Sequence, residues 1–451
     1  MKVLFSPVGG TDPISMNNWH DGAMLHICRE LQPDRVVLYM SNEILKNHRE
    51  DNRYLYCLEK LAEQQHRKME YRIIERPDLR NVQEFDFFYR EFREIIESVI
   101  RELTDQDELL LNISSGTPAM KSGIAVLNTL EEYPCKLVQV LTPARGMNEH
   151  SHNGYDVETL WECDEDNNPE HENRCKILNG LPNLSKIKKE EMMKKHIESF
   201  DYAAALTVAR TMTKPDRASY YPLLEAAQAR LLLDRYGVKK ALDGSKNPRF
   251  QREVDIARGL SDDWDLQNCF EYALSLQVKL QKEEYADFIR GITPLLVEVF
   301  RLALLSECDL DIRPYLKEGR DEWDEGALQG TQVDIILKDA YQGFHYGYLY
   351  SAHLNELIQR LAKNERLKEL SSNLRKFERD IRNMAAHQII TITDLDIRKK
   401  TGGFSAWQIM KMIQELFDYT GGSIKPEDWK SYNRMNEEII RSMQYEKSGK
   451  K

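Results

Sequence analysis

The sequence predicts two architectures in one chain: a Rossmann-like α/β layer built on a parallel sheet, followed by an all-α region. Three observations carry this. Short apolar runs alternate with amphipathic stretches over residues 1–162, helical periodicity takes over after about residue 185, and an acidic, then Asn/Pro/Gly-punctuated stretch lies between. The strand-like runs are KVLFS (2–6), RVVLYM (35–40), EYRIIE (70–75), ELLLNIS (108–114) and KLVQVL (136–141). Helical patterns separate them, such as FFYREFREIIESVIREL (87–103), with apolar residues at spacings of three and four. Strands alternating with helices argue for a parallel sheet covered on both faces. The stretch 163–185 reads as a domain boundary. Beyond it nearly everything reads as helix, apart from a short strand-like TQVDIIL (331–337); GGFSAWQIMKMIQELFDYTGG (402–422) is a further helix bracketed by glycine pairs, and the terminal EKSGKK a frayed tail.

Composition bounds the function. A chain of 451 residues suits two or three domains with ordinary cores. Its 63 basic and 74 acidic residues leave a net charge of −11, which disfavours an open duplex-binding groove but not a nucleotide held in a pocket by loops and a few arginines. With 41% hydrophobic and 30% charged residues the chain fits a folded globular protein. No run approaches the ~18 apolar residues of a membrane span, and MKVLFSPVGG lacks a signal-peptide apolar core, so a cytoplasmic location is expected. The seven cysteines are scattered without a CxxC pair and read as reduced thiols. Cys163 and Cys175 flank His171, but no second cysteine pair sits at zinc spacing, so no metal is expected.

Two loops follow strand-like runs. PVGGTDP (7–13) follows the first, and SSGTPAMKSG (114–123) follows the fourth and opens a helix. In an open parallel sheet, ligands bind beyond the carboxyl ends of the strands, where such loops meet helix starts. Ser114, Ser115, Gly116 and Thr117 supply hydroxyls and backbone N–H groups ahead of a helix that begins with Pro118. Lys121 lies one turn beyond Thr117 and adds a cation. Gly9 and Gly10 allow close backbone approach, and Asp12 can accept from a ribose hydroxyl or an exocyclic amine. Each loop alone reads equally well as a turn and an N-cap, and neither matches the Walker or dinucleotide fingerprints. Together they favour a polar, hydroxyl-rich ligand.

A second signal closes the helical stretch LKELSSNLRKFERDIRNMAAH, where Arg382 and His387 form R-x-x-x-x-H. Chance alone supplies about one such spacing in a chain with 32 arginines and 11 histidines, and Arg145 with His150 is a second instance. Context distinguishes the later pair, because Arg375, Arg379 and Arg382 recur at steps of four and three. Residues five apart point ~140° from each other on a helix, so two copies related by a two-fold axis bring both groups to one phosphate more readily than one. Read on spacing alone, a solvated basic face with a histidine at the helix end remains the stronger alternative.

VGGTDP (8–13), NISSGTPAMKSG (112–123) and RNMAAH (382–387), taken in this order with the switch from α/β to all-α, resemble the CARF–HEPN ancillary ribonucleases of type III-A CRISPR systems, the Csm-six family. The resemblance covers the whole length. It implies a Rossmann-like CARF domain over 1–165, a helical linker domain over 186–262 and an all-α HEPN domain over 263–446. It further implies a homodimer whose CARF domains bind a cyclic oligoadenylate, with cyclic hexa-adenylate ahead of cyclic tetra-adenylate. The expected contacts are Gly10, Thr11, Asp12, Asn112, Ser114, Ser115, Gly116, Thr117 and Lys121. The HEPN dimer would then cut single-stranded RNA through the substrate's own 2′-hydroxyl, needing neither metal nor cofactor. Arg382 would stabilise the phosphorane, His387 would move protons and Asn383 would orient the phosphate or the histidine. Some members degrade their activator slowly, and Thr117 and Asp12 are candidates for that here. Neither membrane nor stable DNA binding is expected. Two readings compete: a nucleotide-sensing regulator without nuclease activity, and a helical scaffold whose sheet domain binds a mononucleotide.

Overall fold

A computed structural model describes residues 1–131, 133–142, 154–178, 182–244, 247–387 and 391–444, without the side chains of 182–183, 383–387 and 444. The chain divides into two compact units, 1–188 and 189–451.

The first unit is a six-stranded sheet. Its strands are β1 (Lys2–Pro7), β2 (Arg35–Ser41), β3 (Glu70–Arg76), β4 (Glu108–Asn112), β5 (Cys135–Val140) and β6 (Cys175–Leu178). Their order is β3-β2-β1-β4-β5-β6, with β1 to β5 parallel and β6 antiparallel to β5. Alternation along each strand feeds two cores. Leu4, Val36, Leu38, Leu110 and Val138 face α1 (Ala23–Leu31) and a second helix (Arg53–Gln64). Val3, Phe5, Val37, Tyr39, Leu109 and Leu111 face two helices on the other side, Phe85–Arg101 and Pro118–Glu131. This is the doubly covered sheet that the apolar runs predict. Chain order reverses between β1 and β4, which makes the loops after those two strands the walls of the switch-point crevice.

The acidic stretch read as a boundary is partly built into this unit. Asp164, Asp166 and Arg174 are buried, and β6 follows at once. Arg29 of α1 donates from Nε to Asp21 at 2.6 Å and from Nη2 to Asp164 at 3.1 Å, while Arg174 pairs with Asp166. Asp166 is therefore the counter-charge of Arg174, and Asp164 a further acceptor for Arg29, whose counter-charge is Asp21. Burial and the neighbouring charge of Asp21 push the Asp164 carboxyl upward. Burial acts the same way on Asp21, but bonds from His26 and Arg29 outweigh it and hold that carboxyl below its ordinary value. His171, considered beside Cys163 and Cys175, instead bonds Glu30 at 2.5 Å. Among the described residues, the group with metal-ligand geometry is Asp21, His26 and Asp166, and its charge is answered by the two arginines.

The second unit is helical in its described residues. Its core runs through helices Trp264–Gln281, Tyr285–Cys308, Ser351–Leu361, Glu365–His387 and Ala406–Leu416. TQVDIIL forms no strand: Gln332–Ala340 is a helix capped by Thr331, whose hydroxyl accepts from the Asp334 N–H. Val333 and Leu337 are buried four residues apart and Ile335 is exposed, a helical period that the contiguous apolar run conceals. Among the described residues no helix is long and apolar enough to cross a membrane.

Candidate functional site

The crevice beyond β1 and β4 holds a cavity of about 720 Å³. Gly10, Thr11, Ser114, Ser115, Gly116, Thr117 and Lys121, all expected from the sequence, line it. Asp12 and Asn112 are not among its lining residues; both are buried beneath the loops. The Asp12 carboxylate accepts from the N–H groups of Gly9 at 2.8 Å and Met24 at 3.0 Å and from the Ser115 hydroxyl, which ties the first loop to the start of α1 and to the second loop. Burial raises its carboxyl above the ordinary range. Asn112 donates to the hydroxyls of Ser6 and Ser115 at 2.9 Å each, and its Oδ1 accepts from the N–H groups of Ser114 and Ser115. Both side chains spend their polar atoms holding loop shape.

Most other hydroxyls are committed in the same way. Ser114 Oγ accepts from the Val140 N–H at 2.8 Å, joining the second loop to β5. Thr117 donates to the Val82 carbonyl at 2.7 Å and accepts from the Met120 N–H at 3.4 Å. Gly116 has φ +84°, and a Cβ there would lie 2.9 Å from Met120 Sδ and from Pro7 Cβ, so the turn admits only glycine. Lys121 forms no ion pair among the described residues, which leaves its ammonium for a ligand.

Among the lining residues that sequence reasoning missed, two stand out. Gly22 lines the cavity at a point where a Cβ would come within 2.6 Å of Thr11 O and Asp12 Oδ1. Its signal was glycine directly ahead of an apolar helix. Arg174 also lines the cavity; it is 5% exposed, with Nη2 on Asp166 and His26 and Nε without a partner. Its signal was a lone arginine inside an acidic run.

In the second unit the helix Glu365–His387 carries the R-N-x-x-x-H segment at its end. Leu367, Leu370, Leu374, Phe377 and Ile381 bury one face, and Arg382 is exposed without a partner among the described residues. Asn383 and His387 lie on the helical backbone, but their side chains lie outside the described residues, as do Arg145, His150 and the loop around His152. One turn before Arg382, Glu378 is buried and receives the Ser351 hydroxyl and Arg375 Nη1. Nearby, His353 accepts from Trp323 Nε1 at 3.0 Å; burial and the charge of Arg375 push its imidazole down to about 4.

Comparison with known proteins adds to this geometry. The Csm6 HEPN-domain family matches residues 260–440, the Csm6 CARF-domain family 70–175 and the Csm6 6H-domain family 180–231. The CRISPR system endoribonuclease Csm6 of Mycobacterium tuberculosis (strain ATCC 25618 / H37Rv) is 31% identical over 453 residues, 98% of either chain. The chain belongs to the Csm6 family. The CRISPR system endoribonuclease Csm6′ of Streptococcus thermophilus is 31% identical over 56% of this chain and 64% of its own length. A solved structure of Enterococcus italicus Csm6, bound to cyclic hexa-2′-fluoro-hexa-dAMP, has the same fold, with a TM-score of 0.70 at 19% identity over 98% of this chain and 100% of that one. The sheet unit is thus the CARF part of a Csm6 architecture, and the terminal helices are its HEPN part.

Proposed function

We propose that this protein is a CRISPR-associated endoribonuclease that cuts single-stranded RNA when a cyclic oligoadenylate occupies the CARF cavity of a homodimer. The observation that carries the reading is Arg382, exposed and unpaired among the described residues, in an R-N-x-x-x-H segment that falls inside the HEPN match. The full-length likeness to a relative named an endoribonuclease supports it. The cavity supports the activator: it is polar, edged by glycines and served by Lys121. The E. italicus structure favours the six-membered ring.

In this mechanism an RNA 2′-hydroxyl attacks the adjacent phosphorus and the bond to the 5′-oxygen breaks, leaving a 2′,3′-cyclic phosphate and a 5′-hydroxyl. His387 moves the proton leaving the nucleophile or the one arriving at the leaving oxygen. Arg382, permanently charged, stabilises the dianionic phosphorane, and Asn383 orients the phosphate. No step needs a metal. Two copies supply the paired site, because Arg382 and His387 sit ~140° apart on one helix. Any slow opening of the activator proceeds without Asp12 and Thr117 as its principal groups, since both are engaged within the loops.

The test is cleavage of a fluorophore-quencher RNA in EDTA with cyclic hexa-adenylate, cyclic tetra-adenylate or no activator. Hexa-adenylate-dependent cleavage that vanishes in Arg382→Ala/His387→Ala supports the reading. Cleavage that survives the double substitution, or none with either ring, overturns it.

A further inference from the structure

We propose that the aromatic loop 341–350 (YQGFHYGYLY) is the surface on which unpaired bases of the substrate strand stack, with Tyr348 and Tyr350 as the stacking side chains; this rests on the reading of Arg382 as the phosphate-binding group. Position is the first argument. Helices Ser351–Leu361 and Glu365–His387 form an antiparallel hairpin, in which Gln359 bonds Lys368 and Ser371 near the turn and Ser351 bonds Glu378 farther along. Ser351, the first residue of its helix, therefore lies level with Glu378, one turn short of Arg382, and Tyr350 directly precedes it. At ~100° per residue, positions 371, 375, 378 and 382 fall within ~60° of one another. Arg382 thus continues the flank that the Ser351–Leu361 helix covers, and Tyr350, the last residue of the loop, sits at the end of that helix nearer Arg382.

Exposure on a pinned backbone is the second argument. Tyr348 is 62% and Tyr350 48% exposed, although both are large aromatic side chains. Their surroundings are fixed. Tyr341, Phe344 and Trp323 pack around His353 at ring distances of 5.4, 5.5 and 6.1 Å. The Trp323 N–H donates to the Gly347 carbonyl at 2.9 Å, and the Leu349 N–H to the Asp321 carbonyl at 2.8 Å. A platform already ordered loses little entropy when a strand lands on it.

Charge is the third argument. Arg375, Arg379 and Arg382 line the same helix, and the charge of Arg375 reaches both Tyr341 and His353. Aromatic faces beside a row of guanidinium groups hold single strands with little sequence preference, because every base has a stackable face. A duplex keeps its bases in its own stack, so the same surface selects unpaired RNA.

The experiment measures activator-saturated cleavage kinetics for wild type, Tyr348→Ala/Tyr350→Ala and Tyr348→Phe/Tyr350→Phe. In parallel, fluorescence anisotropy follows a 2′-O-methyl single strand with and without abasic positions. The alanine pair should raise KM about tenfold with kcat nearly unchanged, and the phenylalanine pair should restore it. Abasic positions should weaken wild-type binding and leave the alanine pair indifferent. An unchanged KM in the alanine pair overturns the proposal, and so does a loss of dimer mass, which would assign the surface to a second copy. Wild-type protein that binds the strand through its bases yet never cleaves would defeat the nuclease reading and leave the platform standing.

Discussion

The two candidate sites use polar residues in opposite ways. In the CARF cavity most of the motif's side-chain polar atoms are consumed inside the loops: Asp12, Asn112, Ser115 and Thr117 bond one another, nearby backbone or α1. At the end of the HEPN helix, Arg382 stands exposed with no partner among the described residues. One motif therefore encodes a shape, and a ligand there meets glycine edges, backbone groups and the ammonium of Lys121, which has no ion pair among the described residues. The other presents a chemical group directly. The difference predicts that substitutions in the first region act through stability and shape, and in the second through rate.

The largest effect tests the second half of that contrast. Arg382→Ala should lower activator-dependent cleavage by about 10²–10³-fold, the range for removing a group that stabilises transition-state charge. Thermal stability should stay within about 0.5 kcal/mol of wild type, since an exposed arginine without an ion pair gives up little when removed. A variant that melts much earlier would place Arg382 in the scaffold and erase the contrast.

Asn112→Ala tests the first half. It removes four bonds at a fully buried position and leaves the N–H groups of Ser114 and Ser115 without their acceptor. The expected cost is about 3 kcal/mol, read by denaturant unfolding of the full chain, with weaker activator binding as a consequence. Retained stability with lost binding would make Asn112 a ligand contact after all.

How much of this was legible follows from the same physics. Strands β1, β2, β4 and β5 were readable because central strands of a doubly covered sheet are near-continuous apolar runs, and the edge strand β3 from its Ile73–Ile74 pair. Strand β6 was not, since CKIL is four residues long at an edge and exposes Ile177. Gly9, Gly116 and Thr117 announced a loop, but no spacing states whether a hydroxyl will face solvent or a neighbouring carbonyl. Asp12 is the plainest case: read as a ligand acceptor, it is a brace, because its partners Met24 and Ser115 come from segments that only the fold brings together. The buried Arg29–Asp21–Asp164 cluster escaped for the same reason, since Asp164 lies more than a hundred residues along the chain from Asp21 and Arg29. Arg382 needed no such assembly, because an exposed position on a periodic helix is a local property.

A smaller effect separates the two regions by pH. The His353 imidazole titrates near 4 in the folded state against its ordinary 6.5, so between those values the unfolded chain binds a proton that the folded chain does not. Its contribution is intact above pH 6.5 and is lost progressively as pH falls toward 4. Acidification from pH 7 to 5 should cost the helical unit about 2 kcal/mol on this account. His353→Gln, which keeps an acceptor for Trp323, should flatten that dependence in urea unfolding followed by tryptophan fluorescence. An identical acid slope in wild type and variant would show that other groups set it.

The smallest effect asks which cation in the cavity the activator meets. Lys121→Met keeps the aliphatic stem and removes the charge from a half-buried position facing the cavity. Affinity for cyclic hexa-adenylate should fall about fivefold, measured by calorimetry, with no change in melting, because the ammonium makes no internal ion pair to lose. Unchanged affinity would shift the phosphates to the other wall, where Arg174 Nε is buried without a partner and its Nη2 is held by Asp166. The cavity would then follow the rule of its loops, with the ligand read by a guanidinium that the fold itself clamps in place. A fivefold loss would instead leave Lys121 as the counterpart of Arg382, a free charge presented by a scaffold whose other polar groups are spoken for.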